Sequence, residues 1–246
     1  MEANDARRLS RNSISLFILR FDILQNSKIN FDLIIGDISK YFDRTEKRVQ
    51  TNFELKFTTD NSELNKIESY DIVLINEKDR FSMTFSKSQD AFWFETQNYI
   101  DKNTYSKLVD VLLESAEKNN VGILTKRIGM RFINTFNCLE PKHISKIFKL
   151  DISKFLVQRI SQESISRIIC QDEFNFDTCK TRVQYGIPNK FYPARMNNFD
   201  LLLDIDAYDD KIHELGSIKH AIVDINHCAY KSFISNINPF YLESLK

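Results

Sequence analysis

Glycine and proline are scarce, five and four residues in a chain of 246, about a third of their usual ~12% share. Sharp turns must therefore rest on Asn, Asp and Ser, which tolerate left-handed backbone or bond their own main chain. The five glycines, at 36, 122, 129, 186 and 216, are too far apart to write a G-x-G-x-x-G fingerprint or a G-x-x-x-x-G-K-[ST] loop. G-x-S-x-G and H-E-x-x-H are missing as well. No cofactor is expected. Net charge is also absent, with 34 basic residues against 34 acidic ones, so no global field draws the chain to a polyanion. The four cysteines, 138, 170, 179 and 228, form no C-x-x-C and no zinc spacing. They read as reduced core thiols of a cytoplasmic protein. Apolar runs such as residues 16–19 are far short of the ~18 needed to cross a bilayer, so no membrane is expected. The first 13 residues are polar and basic, a loose arm with Arg7, Arg8 and Arg11 and no signal peptide.

Phenylalanine is abundant, 20 of 30 aromatics, which supplies core volume. Residues 14–24 read as a buried strand, 31–42 as a short helix, and 50–59 as an alternating strand. Residues 71–87 give two strands about a turn at 76–79, and 90–99 a further strand. In 101–120, Tyr105, Leu108, Val109, Leu112, Leu113 and Ala116 recur at helical spacing. The second half begins again. A strand over 123–136 precedes a helix opened by Pro141 and a second helix over 152–157. Three strands follow, around 164–174, 179–187 and 199–208. A long helix over 216–237 turns Ile218, Ala221, Ile222, Ile225, Ala229 and Phe233 inward.

The fold class is therefore α+β: two tandem strand–helix–(three or four strands)–long helix units, 14–120 and 121–246, behind the arm. We expect antiparallel sheets with helices on one face, one compact unit and an internal duplication. LRFDI at 19–23 aligns with MRFIN at 130–134. The order is similar to the repeats of TATA-binding-protein-like and helix-grip folds. Fold alone does not give function.

Residues two apart on a strand share a face. Ile128, Met130, Phe132 and Phe136 then face the core, with Arg127, Gly129, Arg131 and Ile133 opposite. Asn134 marks where the core face ends. Gly129 removes a side chain between two arginines, inviting a close approach. Lys180, Arg182, Gln184 and Gly186 share a face, as do Asp200, Leu202, Asp204 and Asp206. This polar face reads as a cross-strand ladder of Arg and Asp, a ligand or nucleic-acid platform, or a contact face for a partner protein. Asp204 and Asp206 are able to hold Mg²⁺ with Glu173 or Asp209 as third ligand, although Arg127 or Arg131 are the plainer partners. His213, His220 and His227 recur every seven residues, too far apart along a helix to chelate together; His220 reads as exposed and His227 as boundary or core. Basic segments stand out. Residues 118–150 hold seven Lys or Arg against one acid, and 178–199 hold Lys180, Arg182, Lys190 and Arg195 with no acid, among Tyr185, Phe191 and Tyr192. Basic plus aromatic is the chemistry of single-strand binding.

The run Arg127-Ile-Gly129-Met-Arg131-Phe132-Ile-Asn134, the strand Leu203-Asp204-Ile-Asp206, and His227 followed by Phe233 resemble the recurring R-I-G-x-R-[FY]-I-N, L-D-I-D and C-terminal helix features of an uncharacterised, sporadically distributed bacterial family of similar length. The resemblance covers about two thirds of the chain; the first fifty residues depart from it. Sporadic occurrence is similar to that of genes in phage-defence islands. It implies a non-catalytic binding or regulatory protein of a defence or toxin–antitoxin type system, acting through protein–protein contact. The alternatives are a nucleic-acid binder on the Arg/Lys face and a metal-dependent nuclease at the Asp pair.

Overall fold

The computed structural model describes residues 13–24, 31–57, 62–161, 165–196 and 199–245; the basic arm lies outside these. Among the described residues, strands and α-helices alternate in blocks. The first half holds β1 (Ile14–Ile23), α1 (Phe31–Ile38), β2 (Arg44–Phe57), β3 (Ser62–Asn76), β4 (Phe81–Ser86), β5 (Ala91–Thr96) and α2 (Asn103–Lys118). The second holds β6 (Leu124–Phe136), α3 (Ile144–Ile147), α4 (Leu150–Ile160), β7 (Ile168–Asn175), β8 (Lys180–Ile187), β9 (Leu201–Asp209), β10 (His213–Glu214), α5 (Ile218–Asn236) and α6 (Pro239–Ser244).

The fold is mixed α+β. These strands join one 10-stranded antiparallel sheet in the order β2-β3-β4-β5-β1-β6-β9-β8-β7, with β10 added to β6. β1 and β6 lie side by side at its centre, with Leu19 opposite Met130. The two halves therefore share one sheet.

The scarcity of glycine leaves its mark on the turns. Among the described residues, the non-glycine positions with positive φ are Arg80, Asp90, Asn120 and Asn189; three of the four are Asn or Asp, the side chains that best tolerate that region. The turn into β4 is closed by Asn76 Oδ1, which accepts from Asp79 N at 2.8 Å. Gly186 is the exception, with φ of +144°.

The helices cover one face. Phe17 sits at the middle of the core, its ring 4.7 Å from Tyr99, 4.9 Å from Phe132 and 5.2 Å from Tyr105. Every apolar position read as the stripe of α2 is buried. α1 is latched to α2 through Asp37, which accepts from Ser115 Oγ at 2.8 Å and Asn119 Nδ2 at 3.0 Å. These donors hold the Asp37 carboxyl below its ordinary pKa.

Two expectations are corrected. Asn134 is fully buried, and does not mark the end of the core: its amide donates to Leu203 O at 3.1 Å while its oxygen accepts from Ser13 Oγ at 2.9 Å. Burial is tolerated because both polar atoms are satisfied. The cysteines are not all thiols: Cys179, in the turn before β8, and Cys228, on α5, form a disulfide, while Cys138 and Cys170 are free. The pair is 49 residues apart in sequence, and only the packing of α5 against β8 brings it together. Among the described residues, no helix is long and apolar enough to cross a membrane.

Candidate binding surface

The face of the sheet turned away from the helices carries the polar half of its central strands. Ile18, Arg20 and Asp22 come from β1, Arg127, Gly129 and Arg131 from β6, and Asp204, Asp206 and Tyr208 from β9. Lys180, Arg182 and Gln184 come from β8. Register sets the neighbours: Arg131 and Arg182 flank Asp206, Gly129 and Lys180 flank Tyr208, and Gln184 stands opposite Asp204. The six residues picked from the sequence therefore do share one surface.

Their charges are paired. Arg131 grips Asp204 along two edges, Nε to Oδ1 at 2.9 Å and Nη2 to Oδ2 at 2.6 Å, a bidentate geometry that fixes both planes. This bond raises the Arg131 pKa above its ordinary value. Arg127 bridges two strands, donating to Asp206 Oδ2 at 3.1 Å and approaching Asp22 Oδ2 at 3.5 Å, with its guanidinium 4.7 Å from the Tyr208 ring centroid. Burial pushes the Asp206 carboxyl up, and the arginines 127, 131 and 182 pull it back. Arg182 is bonded to Glu173, Lys180 to Asp210, and Gln184 to Gln171. Gly129 makes room as expected, and what occupies the room is Arg127: a β-carbon there would lie 3.0 Å from its Nη1.

The metal ligands considered from sequence do not converge. Asp204, Asp206 and Glu173 each hold an arginine, and Asp209 projects to the opposite face of β9, where it meets His213 Nε2 at 3.1 Å. Among the described residues no group of three His, Cys, Asp or Glu comes together. Ser217 lies 3.5 Å from His213 Nδ1, but its hydroxyl donates to Glu214 O at 2.9 Å, so it closes the turn into α5. His227 is exposed on α5, not boundary or core.

Sequence reading placed the surface in the second half. The structure extends it into the first through β1 and β5. Trp93, the chain's sole tryptophan, stands between two depressions. One of about 200 Å³ is lined by Ile18, Arg20, Arg127, Arg131 and Trp93. One of about 360 Å³ is lined by Arg48, Thr84, Gln89, Glu95 and Trp93. Arg20 lies 5.3 Å from the Trp93 ring and donates to Asp22 and Gln89. The alternation of AFWFET held the signal for Trp93, since its neighbours Phe92 and Phe94 are buried.

Asp204 is almost fully buried while Arg131 is about half exposed (side chains 7% and 45%). Arg131→Ala strands the carboxylate. Breaking a buried pair costs ~3–5 kcal/mol, and water reaching this one lowers the expected loss to about 2 kcal/mol. Urea unfolding of Arg131→Ala against Arg131→Ala/Asp204→Asn measures it; the second change should recover most of the loss.

No family model matches the chain, and no curated protein or solved structure is significantly similar to it.

Proposed function

We propose that the chain is a non-catalytic binding and regulatory protein that acts through protein–protein contact across the helix-free face of its sheet. The observation that carries this reading is a charge-balanced surface in which Trp93 divides two depressions among arginines. Trp, Tyr and Arg are the residues that most often dominate protein interfaces. A polyanion on the same face would have to displace Asp204, Asp206, Asp210 and Glu173 from their cations, so the face suits a partner of mixed charge. The motif resemblance supports placing the protein in a bacterial phage-defence or toxin–antitoxin type system in the cytoplasm. The pairing of Leu19 with Met130, the residues that the internal alignment equates, supports reading the halves as a duplication.

A tagged copy recovered from the native host, with mass spectrometry of the eluate, identifies the partner. The emission of Trp93 should then shift on titration with that partner, and Trp93→Ala should weaken binding at least ~30-fold, the size of an interface hot spot. A partner whose affinity ignores Trp93 removes the reading.

A further inference from the structure

The loop from β8 to β9 builds a second surface of different chemistry. Asn189 pins it. Its backbone has a φ of 50° and its side chain is buried. The amide donates to Ser166 O at 2.7 Å and Ala194 O at 2.8 Å, and the oxygen accepts from Phe191 N at 3.1 Å. Two main-chain bonds, Tyr192 N to Asn189 O at 3.1 Å and Ala194 N to Phe191 O at 2.8 Å, close the turn. The loop so fixed holds Phe191 and Tyr192 in water, 62% and 53% exposed. Arg167, on the segment entering β7, lays its guanidinium 4.2 Å from the Tyr192 ring centroid. Arg195 follows three residues on and is exposed. Lys190 is held by Asp200 at 2.8 Å, while residues 178–199 contain no acid at all.

An exposed Phe191 ring, and a Tyr192 ring that carries the Arg167 guanidinium on one side, match an unpaired base and its phosphate: the ring stacks, and the cation neutralises. The helix-free face lacks this chemistry, because its cations already hold carboxylates. Preorganisation lowers the ordering cost of binding. We propose that the 189–196 loop docks single-stranded nucleic acid, taking one or two unstacked bases on Phe191 and Tyr192 and the adjoining phosphates near Arg167 and Arg195. This site is separate from the partner face and stands or falls independently of it.

The test is fluorescence anisotropy of the full chain with labelled oligo(dT) and oligo(rU) of about 12 nucleotides, comparable to known single-strand site sizes. Wild type should bind, and affinity should fall as salt rises. Phe191→Ala and Tyr192→Ala should each weaken binding roughly 5- to 150-fold, and Arg167→Ala or Arg195→Ala should each reduce the salt slope by about 0.7. Both rings are exposed, so the thermal melts of these variants should match wild type, and Trp93→Ala should bind the oligonucleotide normally. No binding at low salt overturns the proposal. So does binding that the loop variants leave unchanged, or a loop that captures a protein partner and no oligonucleotide.

Discussion

Gly186→Ala is expected to cost about 3–5 kcal/mol, a size reserved for a few mechanisms. Gly186 lies in β8 opposite Ile169 of β7. Its φ of +144° belongs to backbone that side chains rarely adopt, a strain worth ~1–3 kcal/mol. A β-carbon there would also sit 2.2 Å from Ile168 O and 3.3 Å from Ile169 Cα. Those atoms are backbone, so relief requires β7 to move away and to lose ladder bonds worth ~1 kcal/mol each. Urea unfolding with unchanged slope gives the loss. Gly36→Ala is the control, since its added carbon meets nothing within 4 Å and lies within α1; alanine is the better helix former, and stability should hold or rise by up to ~1 kcal/mol. A stable Gly186→Ala protein with β7 in place would contradict the pairing of Gly186 with Ile169.

Reduction of the Cys179–Cys228 bond should have an effect of similar size. The bond closes a loop of sequence separation 49. Loop-closure entropy puts its contribution at about 4 kcal/mol, or roughly 8–16 °C in Tm for a domain of this size. Dithiothreitol should lower Tm by that amount, and Cys179→Ser/Cys228→Ser should melt at the lowered value with or without reductant. Thiol titration of the denatured oxidised protein should count two thiols, Cys138 and Cys170, and four after reduction. A reducing compartment such as the proposed cytoplasm works against the bond, so the same titration on protein trapped in the cell reads which state the chain uses there.

Gly186 and the disulfide also mark where the sequence was legible and where it was not. Local periodicity carried the strands and helices well. The stripe from Tyr105 to Ala116 is buried throughout, and the alternation of 127–133 assigns both faces of β6 correctly. β2 and β3 run longer than read, 14 and 15 residues, because polar alternation in a two-stranded extension gives weak apolar signal. Relations between distant segments were not legible. The sequence pointed to Gly129 as the site of close approach. There the visitor is the side chain of Arg127, whereas the tight backbone contact is at Gly186, set by β7. The disulfide depends on how α5 crosses β8. The surface was half visible: Arg127, Arg131, Lys180, Arg182 and Gln184 do share a face and the two arginines of β6 pair with Asp206 and Asp204 as read, but the partners of Lys180, Arg182 and Gln184 follow from β7 and the turn after β9, and the contribution of Trp93 from the place of β5 beside β1.

The position of β7 at the end of the sheet bears on self-association. An edge strand offers unpaired main-chain groups to any chain that adds a strand. In β7, Gln171, Asp172 and Glu173 at its middle are all exposed. Two copies adding edge to edge in antiparallel register about that centre would set Asp172 of each opposite Glu173 of the other, one acidic pair on each face, across a gap of ~4.8 Å. Like charges at that spacing repel. The acidic centre of β7 thus disfavours pairing of this edge with its own copy, even with Ile169 and Phe174 exposed on the same strand, although Arg182 offsets part of the repulsion by holding Glu173.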